Sequence, residues 1–216
     1  MERGLLATST FAKSEVKKKL RVLLRDRRKT FIKLTVAGYW PLEFELDIKP
    51  IMNRLFQLGK FRMCLPIVEK QHEPLIFREW KPDDELVTRD LYKIKEPSDD
   101  KQLVQPDILL MPLIGFDKYC SRLGYGGGYY DRTIDKLINQ QNFQILTIGV
   151  AFECQKICSE QYGCTDEERI YIQQYQPEHT DKTLDYVVTE SQIYSKVESQ
   201  ESRKDKVNDL EVKVIV

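Results

Sequence analysis

Short runs of apolar, β-branched and aromatic residues recur along the chain and alternate with segments of helical periodicity. The strand-length runs are residues 31–39, 61–67, 75–80, 108–114, 145–152 and 184–189. The helical segments are residues 13–29, 48–58, 129–141 and 155–161. Strands separated by helices are typical of a parallel sheet that is covered on both faces. The pattern therefore predicts an α/β protein, a single three-layer α/β/α domain with a mostly parallel central sheet.

The two ends of the chain depart from this pattern. Residues 196–216 hold five basic and five acidic residues with little apolar periodicity, which is typical of a solvated tail and compatible with disorder. We expect an N-terminal extension over 1–12, one domain over 13–195 and the charged tail after it. Residues 81–105 are rich in Asp, Glu, Lys and Pro and predict a long surface connection.

Charge and hydropathy exclude several classes of protein. The chain has 34 Lys and Arg against 34 Asp and Glu, so it is neither a wholly basic nucleic-acid binder nor an acidic disordered protein. Its longest nearly apolar run, 108–116, is interrupted by Pro112 and Gly115 and is far shorter than the ~20 residues that span a bilayer. The first residues resemble neither a secretory signal nor a transit peptide, so we expect a cytoplasmic protein.

Cysteine and histidine usage narrows the chemistry further. The five cysteines form no CxxC pair, which argues against a disulfide framework and a zinc ribbon. Two histidines leave little material for a transition-metal site or a Ser-His-Asp triad. Metal binding through carboxylate oxygens remains open.

The predicted first helix is strongly basic. Residues 13–33 contain ten basic and two acidic side chains, and Lys13, Lys17, Arg21 and Arg25 follow one another at i, i+4 spacing. Like charges at that spacing cost about 0.2–0.5 kcal/mol per pair. The stripe is either a solvated face or a surface that meets a polyanion such as a nucleotide triphosphate or a nucleic acid.

Half of the glycines lie in one short segment. Five of ten fall between residues 115 and 128: Gly115 within MPLIGFD, which ends a predicted strand, and the other four within the string RLGYGGGYYDR at 122–132. Glycines uncover backbone N–H groups and permit positive φ, and a predicted helix follows, so the order favours phosphate binding. Arg122 and Arg132 flank the loop as possible phosphate ligands. The string is neither a Walker A loop nor GxGxxG, and a flexible surface loop is the alternative.

The loop and the strand before it resemble the signature of the 5-formyltetrahydrofolate cyclo-ligase family, whose members are also called methenyltetrahydrofolate synthetases. Four further elements resemble that family in the same order: KKKLR at 17–21, the YWP and ELD strings within 39–47, FREW at 77–80 and DKTLDYVVTE at 181–190. The resemblance spans residues 13–192.

The resemblance implies an ATP site and a magnesium site. Lys17 and Arg21 are expected to hold ATP phosphates. The glycine loop is expected to wrap the triphosphate through Arg122, Leu123, Gly124, Tyr125, Gly126, Gly127, Gly128, Tyr129 and Tyr130. Asp131 and Asp181 are the expected magnesium ligands, and two carboxylates suit this hard cation, which also binds phosphate oxygens and water. Arg122 and Tyr130 are the expected catalytic side chains, next to the transferred phosphoryl group.

The resemblance also implies a folate site. Glu45 matches the family's folate-binding glutamate, and a carboxylate can accept two parallel hydrogen bonds from a pterin ring N–H and its amine. Without the family resemblance, nothing distinguishes Glu45 from any other acidic residue in a loop. Tyr39 and Trp40 are expected to wall the pterin by stacking, with core packing as the alternative for at least one of them.

The expected activity is ATP-dependent cyclisation of 5-formyltetrahydrofolate to 5,10-methenyltetrahydrofolate, with release of ADP and phosphate, through phosphorylation of the formyl oxygen. The expected partners are ATP, Mg²⁺ and a folate with or without a polyglutamate tail, bound by a monomer that needs neither nucleic acid nor membrane.

The chain departs from the family pattern at two places. Gly127 stands where some members have lysine, and the connection over residues 155–177 is longer than a typical connection. A non-catalytic folate- or nucleotide-binding protein and a nucleic-acid-binding module remain alternatives.

Overall fold

A computed structural model describes residues 33–89, 93–140, 143–157, 165–166 and 181–196. The chain divides into two compact units, Met1–Lys33 and Leu34–Val216. All described residues except Lys33 belong to the second unit. The predicted basic helix with Lys17 and Arg21, and the tail after residue 196, lie outside the described residues.

The described chain contains short strands and two α-helices. The strands are β1 Leu34–Ala37, β2 Phe61–Ile67, β3 Ile76–Glu79, β4 Leu86–Thr88, β5 Lys95–Pro97, β6 Ile108–Met111, β7 Gly115–Phe116, β8 Arg122–Leu123, β9 Leu146–Val150, β10 Tyr186–Val188 and β11 Ile193–Ser195. The helices are α1 Lys49–Gln57 and α2 Tyr129–Asp135, which continues as a π-helix over Lys136–Gln140, and a 3₁₀ turn covers Glu153–Gln155.

Seven strands form the central sheet, in the order β11-β10-β9-β6-β1-β2-β3. The pairs among β10, β9, β6, β1 and β2 are parallel, and the outer strands β11 and β3 pair antiparallel. All four residues of β6 are buried, as expected for a strand covered on both faces. The predicted mostly parallel sheet is confirmed.

Successive residues of the inner strands belong to two separate apolar clusters. Val36 of β1 packs in one cluster with Met52 of α1, whereas the next residue, Ala37, packs in the other with Ile134 of α2. Because side chains alternate across a strand, the two clusters lie on opposite faces of the sheet. The two helices thus cover opposite faces, and the predicted three-layer order is confirmed for the described residues.

The structure differs from the sequence pattern at its shortest elements. The predicted surface connection 81–105 contains the antiparallel pair β4 and β5, and Glu96 of β5 is buried, where its carboxylate accepts the Val68 N–H at 3.0 Å. The edge strand β11 was also not predicted. Elements of three residues are too short to show a periodicity. Among the described residues, no helix has the length and apolar content needed to cross a bilayer.

The order of the parallel strands determines where a ligand site forms. From β1 the chain crosses to β2 on one side, whereas β6, β9 and β10 follow on the other. In open α/β sheets a crevice lies at such a reversal, beyond the carboxyl ends of the two strands that flank it. The segments that leave β1 and β6 therefore border the candidate site, and they carry Glu45 and the glycine loop.

Candidate active site

The loop after β1 is closed by its own hydrogen bonds. Tyr39 is 3% exposed and its hydroxyl donates to the Leu46 carbonyl at 2.9 Å. The Leu42 N–H donates to Oε2 of Glu45 at 2.8 Å. These bonds fix a half-buried Glu45 at the carboxyl end of the sheet. Tyr39 packs in the apolar cluster that includes Trp80. This agrees with the alternative of core packing for Tyr39.

Glu45 is linked to the glycine loop. The Tyr125 hydroxyl lies close enough to the Glu45 carboxylate for each group to affect the pKa of the other. Burial raises the pKa of Glu45, while the hydrogen bond from Leu42 and the interaction with Tyr125 act in the opposite direction. Two residues that the sequence assigns to different ligands are thus neighbours.

The glycine loop has the predicted left-handed backbone at two positions. Gly126 has a φ of 82° and Gly128 a φ of 63°, angles that side-chain-bearing residues adopt only at a cost. A Cβ on Gly126 would meet no atom within 4 Å, so glycine is favoured at this position by its backbone conformation and not by lack of space. Gly128 directly precedes α2, so its backbone sets the direction in which the helix leaves the loop.

Two glycines of the loop are closely approached by arginine side chains. A Cβ on Gly124 would lie 2.7 Å from Nη1 of Arg122, and one on Gly128 would lie 2.6 Å from Nη1 of Arg132. Arg132 also donates from Nη2 to the Gly127 carbonyl at 2.6 Å. The loop is therefore folded against two guanidinium groups. Arg132, predicted as a flanking phosphate ligand, holds the loop from within.

Arg122 forms a nearly buried ion pair with Asp131. Its Nη2 lies 2.8 Å from Oδ2 of Asp131, and the two side chains are 7% and 17% exposed. The guanidinium also lies over the Tyr130 ring, 5.5 Å from the centroid. The other Asp131 oxygen, Oδ1, accepts the Lys182 N–H at 3.2 Å. The structure thus brings Arg122, Tyr130 and Asp131 together, next to the segment that begins at Asp181.

This arrangement fits a magnesium site that a nucleotide completes. Within the described ranges, no group of three or more Asp, Glu, His or Cys side chains could hold a metal ion. Magnesium is commonly held by one or two carboxylates together with substrate phosphates and water. Asp131 and the segment of Asp181, joined by the Lys182 hydrogen bond, offer such a partial set of oxygen ligands.

One residue that supports the loop was missed by sequence reasoning. Gln155 donates from Nε2 to the carbonyls of Leu113 at 2.7 Å and Ile114 at 3.1 Å, and its Oε1 accepts the Phe152 N–H at 2.7 Å. It ties the turn after β9 to the segment that leads into the glycine loop. Nothing in the local sequence distinguishes this glutamine from a surface residue.

Comparison with known proteins decides the family. The model of the 5-formyltetrahydrofolate cyclo-ligase family matches residues 8–161. The chain belongs to this family. The prediction drawn from the glycine loop and its companion motifs is confirmed. The matched range includes Lys17, Arg21, Glu45 and Asp131, whereas Asp181 lies beyond it.

Individual relatives agree with this assignment. The 5-formyltetrahydrofolate cyclo-ligase of Escherichia coli K12 is 39% identical over 128 residues, which cover 57% of this chain and 68% of the relative. That of Mycoplasma pneumoniae is 31% identical over 153 residues, covering 70% and 80%. The NMR structure of Aquifex aeolicus 5,10-methenyltetrahydrofolate synthetase has a TM-score of 0.55 at 22% identity, covers 90% of this chain and 88% of its own, and supports the fold.

Proposed function

We propose that the protein catalyses the ATP-dependent cyclisation of 5-formyltetrahydrofolate to 5,10-methenyltetrahydrofolate, releasing ADP and phosphate. The observation that carries the proposal is the proximity of the Tyr125 hydroxyl to the Glu45 carboxylate, close enough for each group to raise or lower the pKa of the other. It brings the glycine loop, proposed to hold the triphosphate, next to the carboxylate proposed to hold the pterin. A reaction between ATP and a folate requires these two sites to be adjacent.

The pterin binds to Glu45 in this proposal. The two oxygens of an ionised carboxylate offer about four acceptor sites, of which the Leu42 N–H uses one and the neighbouring Tyr125 hydroxyl can use another. The remaining capacity can take two parallel hydrogen bonds from the pterin ring N–H and its exocyclic amine. Tyr39, anchored to Leu46, supports the loop beneath the pterin. The register of the substrate is thus set by one side chain in a rigid loop.

The triphosphate binds along residues 122–130 in this proposal, and the family resemblance adds Lys17 and Arg21 as further phosphate ligands. Asp131 and Asp181 would hold the magnesium ion, which would offset the negative charge of the phosphates. Arg122 supplies positive charge to the transferred group, and Tyr130 supports the guanidinium through its ring.

The chemical difficulty is that the formyl oxygen is a poor leaving group. Attack of this oxygen on the γ-phosphorus of ATP transfers the phosphoryl group and releases ADP. N10 then attacks the activated formyl carbon, loses its proton and closes the five-membered ring, and the oxygen leaves with phosphate. The protein supplies position and charge, and no side-chain nucleophile is required.

The test is a spectroscopic assay with 5-formyltetrahydrofolate, ATP and Mg²⁺, which follows the near-ultraviolet absorbance of the methenyl product. We expect a rise that requires ATP and stops when EDTA removes the metal. Reactions without ATP and with Glu45→Gln protein are the controls. A folded protein that gives no ATP-dependent rise would contradict the proposal.

We further propose that the protein acts as a cytoplasmic monomer on folates with or without a polyglutamate tail, without nucleic-acid or membrane partners. The balanced charge of the chain supports this, since 34 basic and 34 acidic residues leave no net positive field. The family assignment does not favour a nucleic-acid-binding module or a non-catalytic binding protein.

A further inference from the structure

The Arg122–Asp131 ion pair lies where two ligands of opposite charge are proposed to bind. Arg122 is the proposed partner of a phosphate, and Asp131 is the proposed partner of the divalent cation. In the structure these two side chains bind each other at 2.8 Å. Each ligand therefore needs one member of a pair that is already formed.

Burial makes this competition significant. Exposed ion pairs contribute little because water screens them, but this pair is mostly withdrawn from water, with side-chain exposures of 7% and 17%. Removing one partner of a buried pair leaves an uncompensated charge, which is strongly unfavourable. A phosphate that takes Arg122 alone leaves Asp131 without its partner, and a cation that takes Asp131 alone does the same to Arg122. Only both ligands together satisfy both side chains.

The pair is not a fully satisfied structural contact. Nε of Arg122 is buried and, within the described residues, has no hydrogen-bond partner. An unmet buried donor costs about 1–3 kcal/mol. The Asp131 carboxylate is held in place by the Lys182 N–H on its other oxygen. One partner thus has an unused donor, and the other stays positioned when the pair opens.

We propose that the Arg122–Asp131 pair makes the site selective for the metal–nucleotide complex over metal-free nucleotide and over the free cation. This inference rests on the proposed function. By linkage, the factor by which the metal improves nucleotide binding equals the factor by which the nucleotide improves metal binding. Asp131 is then a specificity-determining residue as well as a metal ligand, because in the absence of metal it keeps Arg122 from phosphate.

The first experiment measures ATP binding without metal, by calorimetry in EDTA. Asp131→Asn removes the competing charge and frees Arg122, so we expect it to bind metal-free ATP about 5- to 150-fold more tightly than the unaltered protein, the usual range of coupling between sites. The matched control is Asp135→Asn, which removes the same charge one turn along the helix from a more exposed pair with Lys182 at 2.9 Å. We expect its affinity for metal-free ATP to be unchanged.

The second experiment measures Mn²⁺ binding without nucleotide, by electron paramagnetic resonance. Arg122→Met frees Asp131, so this variant is expected to bind Mn²⁺ alone more tightly than the unaltered protein. Thermal melts establish that each variant is folded, and either variant carries the test if the other does not fold.

Unchanged or weaker binding in the folded variants would overturn the inference, and so would an equal gain in Asp135→Asn, which would indicate a general field effect. Failure of both variants to fold would make the pair structural and would overturn it too. If the unaltered protein binds no ATP even with Mg²⁺, the proposed function fails, a result distinct from any of these.

Discussion

Two glutamates lie beyond the carboxyl ends of strands in the same sheet, and their surroundings differ. Glu153, after β9, is 4% exposed. Its carboxylate accepts hydrogen bonds from the hydroxyls of Tyr194 and Thr189, the latter at 2.7 Å, and from Nε2 of Gln192 at 3.4 Å. Glu45, after β1, is half-buried, accepts one backbone N–H and lies near the Tyr125 hydroxyl.

Protonation equilibria reflect this difference. Burial acts to raise the pKa of Glu153, but the bonds from Tyr194, Thr189 and Gln192 outweigh it and lower the pKa overall. Burial prevails at Glu45, whose pKa is raised despite the hydrogen bond from Leu42 and the interaction with Tyr125. Glu153 thus accepts three hydrogen bonds from its own protein, which is typical of a structural carboxylate. Glu45 is partly desolvated and keeps more acceptor capacity, as the proposed folate site requires.

The largest expected effect is the loss of folate recognition in Glu45→Gln. The amide keeps one acceptor but loses the charge, and hydrogen bonds to charged groups are worth about 1.5–3 kcal/mol each, so kcat/KM for 5-formyltetrahydrofolate should fall about 100-fold. The melting temperature should barely change. Steady-state kinetics and a thermal melt check both parts, and an unaltered kcat/KM would remove Glu45 from the substrate site.

The converse variant, Glu153→Gln, should lose stability and keep its turnover. The amide cannot accept every donor now directed at Glu153, so the free energy of unfolding should fall by about 1–3 kcal/mol. Because the folded-state pKa is lowered, the stabilisation from Glu153 is present above its unfolded-state pKa and is lost as the pH falls through the folded value. Denaturant melts of both proteins at several pH values test this. A stability difference that grows towards acid would contradict it.

Two glycines with similar backbone conformations allow the effect of backbone strain on stability to be distinguished from an effect on nucleotide binding. Gly128 in the loop and Gly59 after α1 have φ values of 63° and 68°. Alanine at either position should cost about 1–2 kcal/mol of stability. Only at Gly128 would the new Cβ approach Arg132, at 2.6 Å, so Gly128→Ala should also weaken Mg·ATP binding several-fold, by an amount that calorimetry can compare with Gly59→Ala. Equal nucleotide affinities in the two variants would refute the internal role of Arg132.

The smallest expected effect is on the pH dependence of folate binding. Protonation removes the charge of Glu45, so affinity should fall as the pH drops through its raised pKa. Glu45→Gln, which cannot titrate, should bind weakly with a flatter profile, and the comparison cancels the titration of the folate itself. Calorimetry across the acid range in which both proteins stay folded is the measurement. If the pH profiles of folate affinity are parallel in the two proteins, Glu45 does not cause the loss of affinity at acid pH.

The sequence was most informative about the inner strands and the loop. The buried runs in β6 and β9 are long enough to be recognised as strands, and clustered glycines after β6 predicted the positive φ found at Gly126 and Gly128. The motifs around them identified the family. The short elements β4, β5 and β11 gave no such signal, because three residues do not establish a period.

The contacts that define the site were decided by the tertiary structure. Glycines at 124 and 128 were expected to expose backbone to phosphate, and the structure adds the close approach of Arg122 and Arg132 to these positions. The proximity of Tyr125 to Glu45 and the pairing of Arg122 with Asp131 have no counterpart in any local pattern. Periodicity and composition act over a few residues and determine which secondary structure each segment can form. Which loops meet depends on the order of the strands in the sheet, which only packing of the whole chain determines.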